Sequence, residues 1–510
     1  MNSKSRTYNS IRNSIVALSV FAINFLLQFV SRKVFLDHLG TEILGLNTTA
    51  TSLLQFLNLA EMGVGAAITF TLYKPLAEKD YNTINEIVSV QGWLYKNIAL
   101  FVITGSLVLM CFFPLIFSKM ELPLWYAYAS FGVLLFSSLL SYFINYRQIV
   151  LTANQQEYKI QGSYRVALLI KILFQIACLS YFENGYVWWL ALEAIFAIIA
   201  SLWLNAVIKK TCPYLSTTIS KGKELKDKYP VIITKIKQFF FHKIASFVLT
   251  QTSPIIIYGY TTLALVAIYG NYMIIVNGII SLLNAIFNGM AASVGNLVSE
   301  NDKKKILSVF GELFTSRFFI VTILSFGIYI LANPFITHWI GQDYHLSKTT
   351  LALIVFTFYL NTQRSVVDSF INAYGLFKDI WAPIVEAVLN IGCSVTLGYF
   401  FGLNGILLGV IISLMIIVFT WKPYFLFKNA FHYSIIWYAK LYIKHILSFV
   451  LVFYLTVSLL DFSGINPENS IKDFIVYGAI GMAVYASLLL FLLYILEPGM
   501  RKFVRRFIKI

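Results

Sequence analysis

Charge is scarce in this chain. Only 12% of its 510 residues are Asp, Glu, Lys or Arg, against roughly a quarter in soluble domains, while 58% are hydrophobic and the mean hydropathy is +0.75. A soluble core cannot hide that much apolar surface, so an ordinary globular enzyme is excluded. Cysteine is scarce too. Cys111, Cys178, Cys212 and Cys393 stand far apart, with no CxxC pair and no histidine at metal-ligand spacing, so neither a disulfide framework nor a zinc site is expected. No Walker loop, metal-ligand helix or serine-nucleophile pattern appears, which leaves ATP-driven pumping within this chain without a basis. No cofactor is expected. A transport cycle would draw on a Na+ or H+ gradient, the membrane potential, or substrate consumption on the far side.

What the chain does have is apolar blocks of about twenty residues, each long enough to cross roughly 30 Å of hydrocarbon as a helix. They predict an all-α polytopic membrane protein of about fourteen transmembrane helices, from 14–31 to 474–495, with two six-helix lobes and two further C-terminal helices. The first block follows a basic N-terminus (Lys4, Arg6, Arg12) and ends in Ser31-Arg32-Lys33 without a small-residue cleavage site, which predicts an uncleaved first span.

The formal charge of +16 is spread over short connections, so it reads as a topology signal, not a nucleic-acid groove. With the N-terminus placed in the cytoplasm, 32 of the 39 Lys and Arg residues fall in cytoplasmic segments, five in external ones, and two (Lys171, Arg364) inside spans. That bias predicts cytoplasmic termini under the positive-inside rule. The external connections are all short, and none can hold a folded catalytic domain.

The most basic connection, 209–242, is expected to act as a topology determinant at anionic headgroups. It separates an N-terminal lobe, 1–208, from a C-terminal lobe, 243–430, which is followed by residues 431–510 as two extra helices and a basic tail. A faint repeat supports two parallel halves. Glu78 and Asp80 recur as Glu300 and Asp302 at an offset of 222, and LTANQQEYK (Leu151–Lys159) resembles INAYGLFK (Ile371–Lys378) at an offset near 220. Parallel repeats in transporters place a pathway between them.

Charges inside a bilayer are costly and should face protein or water. Glu61 lies near mid-membrane beside Gly63 and Gly65, where helix packing competes with ion or proton coupling. Lys171 is expected as a cavity cation, with a paired lysine as the competing reading. Arg364 and Asp368, four residues apart, share a helical face and can pair. Glu193 and Glu386, nearer span ends, are expected to reach headgroups. In the seventh span, Thr250-Gln251-Thr252-Ser253-Pro254 predicts a kink at Pro254, suited to a gate or to a bent scaffold helix.

Three segments carry a family resemblance: RKVFLDHLGTEILGLN (Arg32–Asn47), LNLAEMGVGAAITFTLYKPLAEKD (Leu57–Asp80) and YRQIVLTANQQEYK (Tyr146–Lys159). They resemble the polysaccharide flippases of the multidrug/oligosaccharidyl-lipid/polysaccharide exporter superfamily, especially O-antigen and capsule repeat-unit translocases. The resemblance implies alternating access between the lobes, a cavity with basic residues for a lipid pyrophosphate, and a groove for the polyprenyl tail. It also implies membrane lipids and polysaccharide polymerase machinery as partners. Arg32 occupies the arginine of the family's R-x7-G segment, closed here by Gly40, and Arg147 the YR position; both become substrate-binding candidates. Lys171 and Arg364 are candidates from burial alone. A cation-coupled multidrug antiporter of the same superfamily is the alternative, followed by a membrane-embedded glycan polymerase, against which the short external connections count.

Overall fold

The computed structural model describes residues 3–376, 379 and 381–508, and these residues form helices joined by short turns and coil, with no strand among them. Ten helical segments among the described residues are long and apolar enough to cross a membrane. The chain is a multi-pass membrane protein.

Ten segments is fewer than the apolar blocks predict, and backbone geometry supplies the reason. Helix α1 (Ser3–Leu57) runs straight through Arg32 and Lys33, where the sequence reading places a connection, and is interrupted only at Gly40 (φ 76°). A left-handed φ followed by extended ψ turns the chain in one residue, and only glycine adopts it without a Cβ penalty. A second such residue, Gly402, interrupts a helical stretch running from Trp381 to Phe431. Each merged segment, of 50 and 51 residues, is therefore two rods joined at a glycine.

Further helices follow as α2 (Val64–Glu78), α3 (Tyr81–Cys111), α4 (Trp125–Phe143), α5 (Val166–Tyr181), α6 (Gly185–Thr211), α7 (Pro230–Gln251) and α8 (Ser253–Tyr260). Then come α9 (Leu263–Ser299), α10 (Lys303–Trp339), α11 (Lys348–Gln363), α12 (Ser365–Ala373) and α13 (Trp381–Ser413). The chain continues through a wide-turned π segment (Leu414–Trp421) and ends with α14 (Ile435–Phe462), α15 (Ile471–Leu496) and α16 (Pro498–Ile508). The helix starts are legible in local chemistry. The Asp80 carboxylate accepts from Thr83 N at 3.0 Å, Asp302 from Lys304 N and Lys305 N at 3.1 Å, and Ser347 Oγ from Thr350 N at 3.1 Å, each satisfying an otherwise orphaned first-turn donor.

The chain divides into two compact units, residues 1–267 and 268–510. In the first, α5 and α6 form a tight antiparallel pair against α1, and α3 packs with α2 and α4. The basic segment 209–242 belongs wholly to this unit. It folds into a short helix, Gly222–Lys228, and the start of α7, pinned where Lys228 Nζ meets Glu86 Oε2 at 2.6 Å.

The second unit is built around α10. Phe310 and Phe314 stack within a buried cluster with Phe370, Phe427, Phe431 and Tyr438, so the C-terminal helices share a core with α10 and α12. Helix α16 also docks on α10: Arg506 Nε lies 2.8 Å from Glu312 Oε1, and a Cβ at Gly499 would stand 2.8 Å from Gly311 O.

Candidate functional site

The first unit places its polar residues at breaks in helices. After Leu57 the chain tightens into a 3-10 turn, Asn58–Glu61, and passes through Gly63 (φ 93°) before α2 begins. Glu61 Oε1 accepts from the Tyr95 hydroxyl at 2.9 Å. Tyr142 OH donates to Asn58 Oδ1 at 3.0 Å, and the Tyr95 and Tyr142 rings meet edge-on at 5.5 Å. Glu61 is thus a carboxylate held by the Tyr95 hydroxyl at a backbone discontinuity, with no ion pair among the described residues. Packing also acts here, since a Cβ at Gly63 would lie 2.9 Å from Ile236 O on α7.

Lys171 on α5 is a paired lysine. Its Nζ lies 2.7 and 2.8 Å from the two Glu193 oxygens, and Gln175 Nε2 donates to Glu193 Oε2 at 3.1 Å. Glu193 therefore turns inward from α6 instead of reaching headgroups, because α5 and α6 pack tightly enough for the two charges to neutralise each other away from water. The free cavity cation expected at Lys171 is not what its geometry shows.

Arg32 on α1 is half-buried, and its Nη2 donates to Ala267 O at 3.0 Å. Arg147 sits in the 3-10 turn Asn145–Gln148 that follows α4, its Nε donating to Tyr146 OH at 3.2 Å. Tyr146 OH is itself bonded to Thr217 Oγ1 at 2.9 Å. Arg147 has no carboxylate partner among the described residues, which leaves it a cation held in place but not neutralised. Pro254 stands in the first turn of α8, and the helical run is interrupted just before it at Thr252, after α7 ends at Gln251.

In the second unit the helix breaks at Arg364, between α11 and α12. Arg364 Nε meets Asp368 Oδ2 at 3.1 Å and its Nη1 meets Glu386 Oε1 at 3.0 Å, while Lys422 Nζ meets Asp368 Oδ1 at 2.8 Å. The Arg364–Asp368 pair lies where the spacing of four places it. Glu386 does not reach headgroups: it is completely buried, with Oε2 lacking a hydrogen bond. The reason is that α13 packs against α11 and turns this carboxylate onto Arg364. Lys422, which the topology count assigns to a cytoplasmic connection, completes a quartet of two cations and two anions.

The sequence reading missed Arg317. It falls inside the apolar block 314–332, but the topology count assigns it to the cytoplasmic side. Its residue is 1% exposed; Nε and Nη2 reach Thr362 O at 3.3 and 3.2 Å, and Cζ lies 4.0 Å from the Phe287 ring centroid. Its Nη1 has no hydrogen-bond partner, and no carboxylate pairs with it among the described residues. Gln363, the next residue along from Thr362, has its Oε1 equally unpartnered. An arginine is always protonated, so its position in an apolar block was the available signal. Among the described residues no group of three or more His, Cys, Asp and Glu side chains is placed to hold a metal ion.

Comparison with known proteins supports the architecture. Neither a known protein family nor a curated protein sequence matches this chain. Among solved structures the class is clear: multi-pass membrane transporters have this fold. Lipid II flippase MurJ in an inward closed conformation is similar over 95% of this chain and 99% of its own, with a TM-score of 0.65 at 15% identity. An inward-facing multidrug resistance MATE family transporter of the MOP superfamily is similar over 81% of this chain and 97% of its own, with a TM-score of 0.53 at 14% identity. A MATE structure in a bent conformation covers 83% of this chain and 95% of its own, with a TM-score of 0.50 at 15% identity.

Proposed function

We propose that this protein is a flippase that moves polyprenyl-pyrophosphate-linked oligosaccharide repeat units from the cytoplasmic to the outer leaflet, by alternating access, for surface polysaccharide synthesis. The observation that carries the reading is coverage: the lipid II flippase fold accounts for 95% of this chain, the MATE structures for 81% and 83%. The sequence resemblance of Arg32–Asn47 and Tyr146–Lys159 to repeat-unit translocases points the same way. In this reading the chain crosses a bacterial inner membrane fourteen times, with both termini cytoplasmic. The two glycine-broken segments count twice, and the helices broken at Gln251 and Arg364 count as crossings.

The chemistry required is to bring a pyrophosphate into a medium of low dielectric. A fixed cation lowers that desolvation cost if it is not already neutralised. Arg147 and Arg317 meet that condition better than Lys171 and Arg364, whose charges are balanced by carboxylates. Arg32 joins them through its place in the family segment. Glu61, at a helix break beside the Tyr95 hydroxyl, is the residue suited to coupling transport to Na+ or H+, with Asp368 held in a structural quartet and Pro254 bending a gate helix.

A leaflet-resolved assay in a deletion strain tests the function. The flippase reading expects lipid-linked repeat units to accumulate on the cytoplasmic leaflet and surface polysaccharide to fall. Repeat units accessible on the outer leaflet would instead indicate a polymerase. Unchanged surface glycan in a strain without redundant flippases would favour the antiporter suggested by the MATE fold.

A further inference from the structure

Apart from these residues, the first unit carries a cavity of about 710 Å³ between the start of α1, the turn before α5 and the end of α6. Three cations line it: Arg12, Lys159 and Lys210. Among the described residues no carboxylate pairs with any of them. The adjacent carboxylate, Glu157, is instead occupied at 2.8 Å by the Thr152 hydroxyl. Three like charges sharing one cavity repel one another unless an anion joins them.

The cations are held in place. The Arg12 guanidinium carbon lies over the Tyr158 ring, 4.1 Å from its centroid. Lys159 Nζ is held by Thr211 Oγ1 at 3.1 Å. The backbone beneath is fixed by Asn13, which accepts from Tyr158 N at 2.8 Å and donates to Gln155 O at 3.0 Å.

The rest of the lining joins two polar residues, Gln156 and Ser163, to the apolar and aromatic Val16, Trp203 and Val207. The same two helices carry exposed aliphatics within about two turns of the lining: Ile195, Ile198, Ile199 and Leu202 on α6, ahead of Trp203, and Ile15 and Leu18 on α1, either side of Val16. The i, i+3, i+4, i+7 spacing on α6 keeps its four in a stripe on one face. A basic cup above a helical surface of exposed aliphatics has the chemistry of the bilayer interface, where a tryptophan commonly sits.

We propose that this cavity binds the phosphodiester headgroup of an anionic membrane phospholipid, with its acyl chains along the α1 and α6 stripe. The lipid is a resident of the surrounding bilayer and not the transported cargo. The aliphatic stripe selects a lipid over a soluble phosphate, because a free phosphate gains nothing from it.

Native mass spectrometry of the purified full-length protein, released from micelles containing phosphatidylglycerol and phosphatidylcholine, tests this. The wild type should retain one phosphatidylglycerol in preference to phosphatidylcholine, and free glycerol phosphate should not displace it. A basic residue at a membrane surface is worth roughly fivefold in anionic-lipid affinity, so Lys159→Ala with Lys210→Ala should weaken retention roughly thirtyfold. Lys159→Arg with Lys210→Arg should retain the lipid. Should the double alanine variant fail to fold, Lys210→Gln, at an exposed position, reads the same cavity and should lose roughly fivefold. Unchanged retention in the alanine or glutamine variants overturns the proposal, as does displacement by equimolar glycerol phosphate or equal retention of phosphatidylcholine.

Discussion

Single residues decide which charges in this protein are available for work. Glu386 is completely buried against Arg364, and removing one partner of a buried pair leaves an uncompensated charge. Glu386→Ala should cost about 3–5 kcal/mol of stability, whereas the double change Glu386→Leu with Arg364→Met should recover most of it. Thermal unfolding in detergent separates the two: a double variant no more stable than Glu386→Ala would show that the quartet is more than a structural pair. The opposite pattern is expected of Arg317. Arg317→Met keeps the packing over Phe287 and removes a buried donor left without an acceptor, so folding should be preserved while export falls. Equal loss of stability and export would make Arg317 merely structural. The reading from sequence alone could place Arg364 beside Asp368, because their spacing lies within one helix. It could not see Glu193 or Glu386 turning inward, because that depends on which helix packs alongside, and periodicity within one helix carries no such information.

At the scale of helices and turns, the repeat seen in sequence has a backbone counterpart. Lys79 (φ 58°) precedes the Asp80 cap and Asn301 (φ 56°) precedes the Asp302 cap, at an offset of 222. Gln155 (φ 57°) and Gly375 (φ 63°) are likewise left-handed at an offset of 220. Around them the same three bonds recur: residues 154, 155 and 156 donate to 150, 152 and 151, and residues 374, 375 and 376 to 370, 372 and 371. What the sequence preserved was turn chemistry, which is local; Phe377 and Lys378 of the second copy lie outside the described residues. Because Gln155 accepts a conformation that costs a non-glycine residue, Gln155→Gly should stabilise the first unit modestly. Failure of that change to raise the unfolding temperature would argue that the side chain compensates. The Asp80 cap also sets a pH response. Hydrogen bonds from Thr83, side chain first and then backbone, hold its carboxyl below the usual aspartate range. A depressed pKa gives stability that is complete at neutral pH and disappears as pH falls below the ~3.9 of an unperturbed aspartate. Amide exchange at residues 82–84 should accelerate there, and in Asp80→Ala at every pH.

The whole chain shows why membrane embedding was easy to read and helix count was not. Apolar blocks report how much helix lipid must cover, but Gly40 and Gly402 turn the chain without a polar loop, and Gln251 and Arg364 end helices inside apolar stretches. Reporter fusions at Lys226 and Ile510 should both read cytoplasmic if the fourteen-crossing topology holds, and an external signal at either would refute it. The docking of α16 was invisible because it rests on a partner far away in sequence, Glu312, which lies just ahead of the apolar block 314–332 and carries no sign of a contact with the C-terminal tail.

The quartet of Arg364, Asp368, Glu386 and Lys422 carries two positive and two negative charges, and the Lys171–Glu193 pair is balanced as well. A group of zero net charge that travels as one body through the transmembrane field does no electrical work, whereas an unbalanced arginine would exchange about 2.3 kcal/mol per 100 mV for a full crossing. Voltage therefore has no purchase on these clusters as they shift. In the proposed transport cycle, an electrogenic step would therefore fall to Arg32, Arg147, Arg317, Glu61 or the cargo.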